Sequence, residues 1–410
     1  MYSCKLKFIL MVLVFSQQVF SDSAAKNCNP QNYNDLVRCA IEQSSEISIS
    51  NQQLKAAAGL EEVTTQWTNP DLDVESVQKG SEKSETSASI LFSLDLSGKR
   101  HARAAEARAE FKKAQTVNTV SLSQTKLDLI LKLYRLSHIK TEIKIEQEAV
   151  ETFNKIVGQF QKKPALSPEQ EVSLSIFRMA MSDHELNLAA LTSEDEKLIQ
   201  ELVTSTGLNK ELFNKNLPTK KSTWPQLASQ NKEAQSPQML IAQSDLESAK
   251  SFKEKTDAEV WSDVKIGPVI KQVKDSSSSE NYVGVALSAP LPFFNLNGAG
   301  KKYSQQKLVE AEMNYNLTSK KVPALRAQLA KKYENIVSSL KKTISTKSLE
   351  EKHNQMERLF FKGLVSSPLV IEAHRQLIEL EQKRNSFELS GIETLGLLQI
   401  IDNNFTEVSL

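Results

Sequence analysis

The sequence predicts a mainly α-helical protein that carries two membrane β-hairpins and is built as two internal repeats. Three observations lead there. First, Asp95-Leu96-Ser97-Gly98 recurs as Asn295-Leu296-Asn297-Gly298, and Ser167-Pro168 recurs as Ser367-Pro368, both at an offset of 200. Two landmarks in one register indicate duplication. Trp67 has a looser counterpart in Trp261, at an offset of 194. Second, each Leu-x-Gly landmark is preceded by two short segments of period-two alternation and followed by a long run of helical period. Third, Gly and Pro number only 12 each in 410 residues, so few tight turns and long regular elements are expected.

The elements follow in order. Lys5 and Lys7 precede the apolar run Phe8 to Phe15, and Val19 and Ser21 suit a cleavage site before Asp22, which reads as a secretory signal over 1–21. The run is too short to span a bilayer, and no later segment supplies the ~20 apolar residues an anchor needs. Cys4 leaves with the signal. Cys28 and Cys39 then remain in an oxidising compartment, where an even pair favours a disulfide. A helix already running from Pro30 would hold them too far apart, whereas an N-cap at Asn34 lets the preceding turn fold back.

A helix is expected from Asn34 to Gln66. Two strands follow, Leu72 to Glu75 and Ser89 to Leu96, around a polar loop from Gln78 to Thr86. Alternation puts Ile90, Phe92, Leu94 and Leu96 on one face. In the second repeat Val264, Ile266 and Ile270 share a face, and Val283, Val285, Leu287 and Ala289 alternate with small residues. The long helix after Gly98 has apolar steps at Leu129, Leu133, Leu136, Ile139, Ile143, Val150, Phe153, Val157 and Phe160. At 1.5 Å per residue it spans roughly 90–100 Å. Its counterpart runs from Ala299 to about Phe361, with Leu325, Leu329, Tyr333, Ile336 and Leu340 on a stripe and a kink or break expected at Pro323. Ser167-Pro168 and Ser367-Pro368 read as N-cap and first helical residue of the returning helices, with a capping box from Ser167 to Gln170. These helices, ending near Thr206 and Asn403, are too short to retrace the outward ones. A second helix in each repeat, Asn34 to Gln66 or Gln238 to Ala258, is expected to complete the column.

The resulting limits are a signal peptide over 1–21 and a first repeat over 22–207, with its β-hairpin at 70–97 and helical hairpin at 98–207. An inter-repeat linker occupies 208–237. The second repeat covers 238–403, with its β-hairpin at 260–291 and helical hairpin at 298–403, and a tail occupies 404–410.

Formal net charge is +1, which gives no reason to expect a nucleic-acid partner. Ser97-Gly98-Lys99-Arg100 lacks the earlier glycine of a phosphate loop, so Gly98 reads as a strand-to-helix corner, as does Gly298. The histidines His101, His138, His184, His353 and His374 are dispersed, show no metal-ligand spacing and read as solvated or lumen-facing. No nucleophile motif is present, so neither an enzyme nor a cofactor is expected.

Two hairpins supply four strands, too few to close a barrel, and their apolar faces need a lipid or a partner. DLSGKRHARAAEARAEF, from Asp95, and VGVALSAPLPFFNLNGAGKKYSQQKLVEAE, from Val283, resemble the strand-to-helix passages of the TolC-type outer-membrane efflux factors. PLPFFNLNGAG is similar to the heavy-metal and drug efflux branch, and FFKGLVSSPLVIEAHRQLIELEQ, from Phe360, resembles that family's final hairpin tip. The resemblance implies a homotrimer that closes a 12-stranded outer-membrane barrel and extends a coiled-coil helical tunnel into the periplasm, with the linker at its equator. It implies an adaptor protein and an inner-membrane pump as partners. It places lipid against Ile90, Phe92, Leu94, Val283, Val285 and Leu287, and the periplasmic aperture at Glu372 and Leu369, where the family carries acidic residues. Leu369 departs from that pattern. The function implied is a passive exit duct of a tripartite efflux or type I secretion system. The alternative is a periplasmic coiled-coil scaffold without a barrel.

Overall fold

A computed structural model describes residues 28–79, 83–227, 236–275, 277–293, 295–343, 351–352, 355–356, 358–360, 362 and 364–405. The expected signal peptide, Cys4, His353 and most of the tail lie outside the described residues.

The described residues open with a disulfide between Cys28 and Cys39, their Cα atoms 6.0 Å apart. Helix α1 (Tyr33–Gln43) starts earlier than expected, with Asn32 as its N-cap rather than Asn34. The Asn32 side chain accepts the backbone N–H of Asp35. Residues 28–31 stay outside the helix, which lets Cys28 fold back. The helix expected from Asn34 to Gln66 is broken at Ser44 (φ −61°, ψ 123°), which caps α2 (Ser45–Thr65). Ser44 and Ser45 favour that break because serine competes with the helix for backbone hydrogen bonds.

Strands β1 (Asp71–Lys79) and β2 (Lys83–Leu94) are longer than the alternation suggested. Helix α3 (Lys99–Gln161) runs unbroken for 63 residues. Helix α4 (Pro168–Thr206) carries the expected capping box of Ser167 and Gln170. A short α5 (Lys210–Lys215) and an extended strap over 216–227 occupy the linker. The second repeat supplies α6 (Pro237–Ala258), β3 (Val264–Asp275), β4 (Ser278–Ser288), α7 (Gly298–Lys342) and α8 (Ser367–Ile401). Helix α7 continues through Pro323 without the expected break. The N-cap of α8 is Ser366, one residue before the expected Ser367, and its side chain makes no capping bond.

The four strands form one antiparallel sheet in the order β1-β2-β3-β4, so β1 and β4 are its open edges. Helix α3 packs against α2, α4, α6 and α8, while α7 packs against α6 and α8. Ion pairs locate the neighbours along α3. Glu61 of α2 meets Arg108, and Glu201 and Glu194 of α4 meet Lys132 and Arg135. Thus α2 and α4 succeed one another beside α3 and complete the column. Helix α6 does the same for α8 beside α7, through Thr256 to Asn297 and, further on, Arg326 to Asp402.

Two apolar clusters hold the helices. One joins Leu36, Leu129, Leu133, Leu136, Phe213, Ile392, Leu395 and Leu398. The other joins Phe153, Ile156, Val157, Phe177 and Val370. The linker is packed rather than passive. Ser137 donates to Pro218 O at 2.8 Å, Tyr333 to Pro225 O at 2.8 Å, and Asn216 to Pro30 O at 3.3 Å.

One contact in the sheet tolerates no side chain. A Cβ on Gly267 would lie 1.7 Å from the Ile90 carbonyl oxygen, whereas one on Gly284 meets only Val269 Cγ1 at 3.5 Å. Gly267→Ala is therefore expected to disrupt the β2–β3 junction and lower the thermal midpoint, and Gly284→Ala to leave it nearly unchanged. Circular dichroism melts of the two variants check the contrast.

Candidate functional site

Strand register decides which residues share a face, because cross-strand partners point the same way. Phe92 pairs with Ile266, and Ile266 with Leu287. Ala88 pairs with Ile270, and Ile270 with Val283. Leu72 pairs with Ile90, Val74 with Ala88, Leu94 with Val264, and Pro268 with Val285. All six residues expected to face lipid therefore lie on one continuous face, together with Leu72, Val74, Val264, Ile266 and Ile270. They are exposed, Val283 by 81% and Val285 by 73%. The opposite face holds the ion pairs between strands among the described residues: Lys265–Asp71 at 2.7 Å, Lys271–Glu85 at 2.9 Å, Lys79–Glu85 at 3.0 Å and Lys83–Asp275 at 2.8 Å.

The sheet meets the helices at two corners. Gly98 takes a left-handed conformation (φ 80°) as N-cap of α3. In the second repeat that conformation falls on Asn297 (φ 52°), and Gly298 is merely the first residue of α7. The expected corner role of Gly298 thus moves one residue back, as asparagine tolerates the left-handed region. Asp95 closes the first corner. Its carboxylate accepts the backbone N–H of Ser97 at 3.2 Å, of Lys99 at 3.1 Å and of Arg100 at 2.6 Å. Asn295 repeats only the turn bond in the second repeat, accepting the N–H of Asn297 at 2.9 Å, and no side chain caps the first turn of α7. Burial pushes the Asp95 carboxyl up, but the N–H groups of Arg100 and Lys99 outweigh it, and the net direction is down.

The basic residues at this corner are committed to structure. Lys99 pairs with Asp263 at 2.6 Å, and the Arg100 guanidinium lies 4.2 Å above the Trp67 ring while donating to Thr65 O. Trp67 and Trp261, the loose repeat pair, both stand exposed beside the sheet's helical end, and Trp261 O lies 3.5 Å from Ser97 Oγ.

Leu369 and Glu372 sit in the first turns of α8, Leu369 exposed and Glu372 half-buried. Glu372 receives Arg375 at 2.6 and 2.9 Å and Gln376 at 2.7 Å, and Arg375 also pairs with Glu379. The Arg375 hydrogen bond holds the Glu372 carboxyl below its usual range.

The histidines overturn an expectation. His101 is exposed, but His138, His184 and His374 are buried, at 1%, 5% and 1% exposure. They share the interior with Glu142, Glu146, Glu381, Glu388 and Asn385. His184 Nδ1 lies 2.6 Å from Glu146 Oε2, and His138 Nε2 lies 3.5 Å from Glu388 Oε2. Burial, assisted by the Glu388 charge, pushes the neighbouring Tyr134 hydroxyl up to about 12. Burial lowers the Lys221 ammonium, with Glu388 opposing. The spacing held a signal for this. Positions 138, 142, 146, 149 and 153 on α3, and 370, 374, 378, 381, 385, 388, 392 and 395 on α8, step by threes and fours. A stripe scored on apolar residues alone drifts to Ile143 and Val150, which are only half-buried. Among the described residues no cluster of three or more His, Cys, Asp or Glu could hold a metal, and no helix is long and apolar enough to cross a membrane.

A sheet with one largely apolar face is joined through two tight corners to helices tens of residues long, and this arrangement recurs in solved structures. The Campylobacter jejuni CmeC outer membrane channel matches over 92% of this chain and 87% of its own, with TM-score 0.71 and 13% identity. The Vibrio cholerae outer membrane protein VceC matches over 89% and 96%, with TM-score 0.64 and 16% identity. The Neisseria gonorrhoeae MtrE outer membrane channel, solved in its open state, matches over 92% and 91%, with TM-score 0.65 and 11% identity. The chain has the TolC-type outer-membrane channel fold. No family model and no curated relative matches it.

Asp95 carries the corner, and its depressed carboxyl sets the sign of its contribution: present at neutral pH, lost as pH falls through the folded value. Asp95→Ala is expected to cost about 1–2 kcal/mol as a lost N-cap. Asp95→Asn, which copies the second repeat, is expected to retain most of that stability. Thermal melts in detergent at neutral pH separate the two.

Proposed function

We propose that this chain is a passive exit duct of the bacterial outer membrane, the last component of a tripartite efflux or type I secretion system. Three copies would each lend four strands to a closed barrel, the helices continuing as a tunnel through the periplasm. The observation that carries this reading is the division of the sheet. From the helical end to the level of Val74, Ala88, Ile270 and Val283 one face is apolar across all four strands, with Gln272 and Lys274 beyond that level, and the inter-strand ion pairs among the described residues lie on the other face, the pattern of a wall with lipid outside and water inside. Strand lengths of 9 to 12 residues suit the ~9–11 a tilted membrane strand needs. The open edges of β1 and β4 give a second reason, since closing a barrel with further copies pairs them. The neighbours in fold are described as outer membrane channels, which agrees with that assembly.

In this reading Ile90, Phe92, Leu94, Val283, Val285 and Leu287 touch lipid. Glu372 and Leu369 stand at the periplasmic aperture, where an adaptor and an inner-membrane pump would act. A water-soluble scaffold is the competing reading, and it leaves the apolar face without a use. Fractionation distinguishes them. The duct is expected as a heat-modifiable trimer in the outer membrane, the scaffold as a monomer released by osmotic shock.

The aperture assignment is tested in planar bilayers. Glu372→Ala leaves Arg375 with Glu379 as its carboxylate partner and removes a negative charge. Reduced cation selectivity and weaker divalent block are expected, and unchanged values of both would sink the aperture role.

A further inference from the structure

The stretch of helix packing between the two apolar clusters is built from charged groups. From α3 it takes Arg135, His138, Glu142 and Glu146, from α4 His184 and Glu194, from α8 His374, Glu381, Asn385 and Glu388, and from the strap Lys220 and Lys221. Every carboxylate in it bridges two elements. Glu142 joins Arg135 at 3.1 Å to Asn385 of α8 at 2.7 Å. Arg135 reaches on to Glu194 of α4 at 2.8 Å through both guanidinium ends. Glu146 meets His184 of α4, and Glu381 of α8 pairs with Lys220 of the strap. Glu388 of α8 accepts the backbone N–H of Lys221 at 2.6 Å and faces His138 of α3. The Phe153 ring, at the edge of the second apolar cluster, stacks on both His184 at 5.3 Å and His374 at 5.0 Å. Glu142, Glu146, Glu381 and Glu388 are all at least nine-tenths buried.

We propose that this buried seam is an acid-sensitive clasp between α3 and the returning helices α4 and α8, closed while its glutamates are ionised and released when they take up protons. The charge count gives the direction. With the carboxylates ionised, Glu142, Glu146, Glu381 and Glu388 balance Arg135, Lys220, Lys221 and the imidazoles they face. Once they are neutral, the two cations from the strap, the Arg135 guanidinium and the imidazoles share a low-dielectric interior whose counter-charge is reduced to Glu194 at its half-exposed edge and Asp195, which already faces Lys140 of α3 at 3.8 Å. Glu146 has a place for the proton, because its Oε1 is buried and accepts no hydrogen bond among the described residues, while Oε2 is held by His184. The apolar clusters on either side have nothing that titrates in acid, the Tyr134 and Tyr333 hydroxyls of the first being pushed up to about 12, so acid loosens the middle of the column and leaves its neighbours packed. Helix α8 carries Glu372 at its near end, which couples the clasp to the exposed tip. The clasp is a property of the folded chain and stands apart from the channel reading.

Hydrogen exchange of the full chain in detergent tests it, with rates normalised for chemical exchange at about pH 7.5 and about pH 4.5. Protection across 138–149 and 374–388 is expected to fall about tenfold on acidification, while 127–136 and 392–398 change less than about twofold. In Glu146→Gln the amide can still bond His184 but cannot titrate, so the acid step around His184 should shrink. Unchanged protection at the seam, an equal loss in both zones, or a Glu146→Gln protein with the wild-type acid step overturns the proposal. Should that variant fail to fold, the contrast between the two zones of the wild-type chain decides alone.

Discussion

A four-stranded sheet with two open edges and one largely apolar face is unstable by itself in water, and most of this structure is arranged around that constraint. Each unpaired edge presents a row of backbone donors and acceptors, and the apolar face loses free energy wherever it meets solvent. The register solves half of the problem inside the chain. It collects Asp71, Glu85, Asp275, Lys79, Lys83, Lys265 and Lys271 on one side, where they pair across strands, and leaves the other side free for an apolar medium. Exposed pairs of this kind add little stability singly. Their value is in fixing register, because a slip of one residue would turn the lysines toward the apolar side.

The corners carry that arrangement into the helices. A strand that leaves the sheet must turn sharply and present a helix N-terminus, with its unbonded N–H groups, beside an apolar wall. Asp95 meets those groups of α3 with its carboxylate oxygens, and Gly98 and Asn297 supply the left-handed turn. The two repeats therefore share the turn and differ in the cap: a charged side chain closes the first helix, whereas Asn295 holds only the turn before the second. The basic run after Gly98 looks like a ligand site in the sequence. In the fold Lys99 is held by Asp263 and Arg100 by Trp67 and Thr65, so its role is to anchor the start of α3.

Much of the architecture was legible because it rests on periodicity. Alternation over Ile90 to Leu94 and Val283 to Leu287 located the apolar face, and the lack of Gly and Pro after Gly98 located α3. The capping box at Ser167 and Gln170 marked the start of α4. The misses share a cause, which is competition among local signals. Ser44 breaks a helix that apolar spacing would have continued. Ser366 takes the cap from Ser367, and Asn297 takes the turn from Gly298, because neighbouring residues can do the same job and tertiary packing chooses between them. The buried histidines were missed for another reason. A hydrophobic stripe was sought among apolar residues, whereas the core stripe of α8 runs Val370, His374, Ile378, Glu381, Asn385, Glu388, Ile392. Polar residues at seam positions look like surface until a partner helix is in place.

That stripe changes how the helical column should be understood. Replacing a buried ion pair with well-packed apolar residues often stabilises a protein, so a column selected for rigidity alone has little use for four buried glutamates. The clusters around Leu133 and Phe153 show that this chain builds ordinary apolar seams on the same helices, within a few turns of the polar one. Charged contacts differ from apolar ones in being directional and breakable by a change in protonation. They hold α8 and α4 to α3 in one register, between two apolar clusters that pack the same helices on either side.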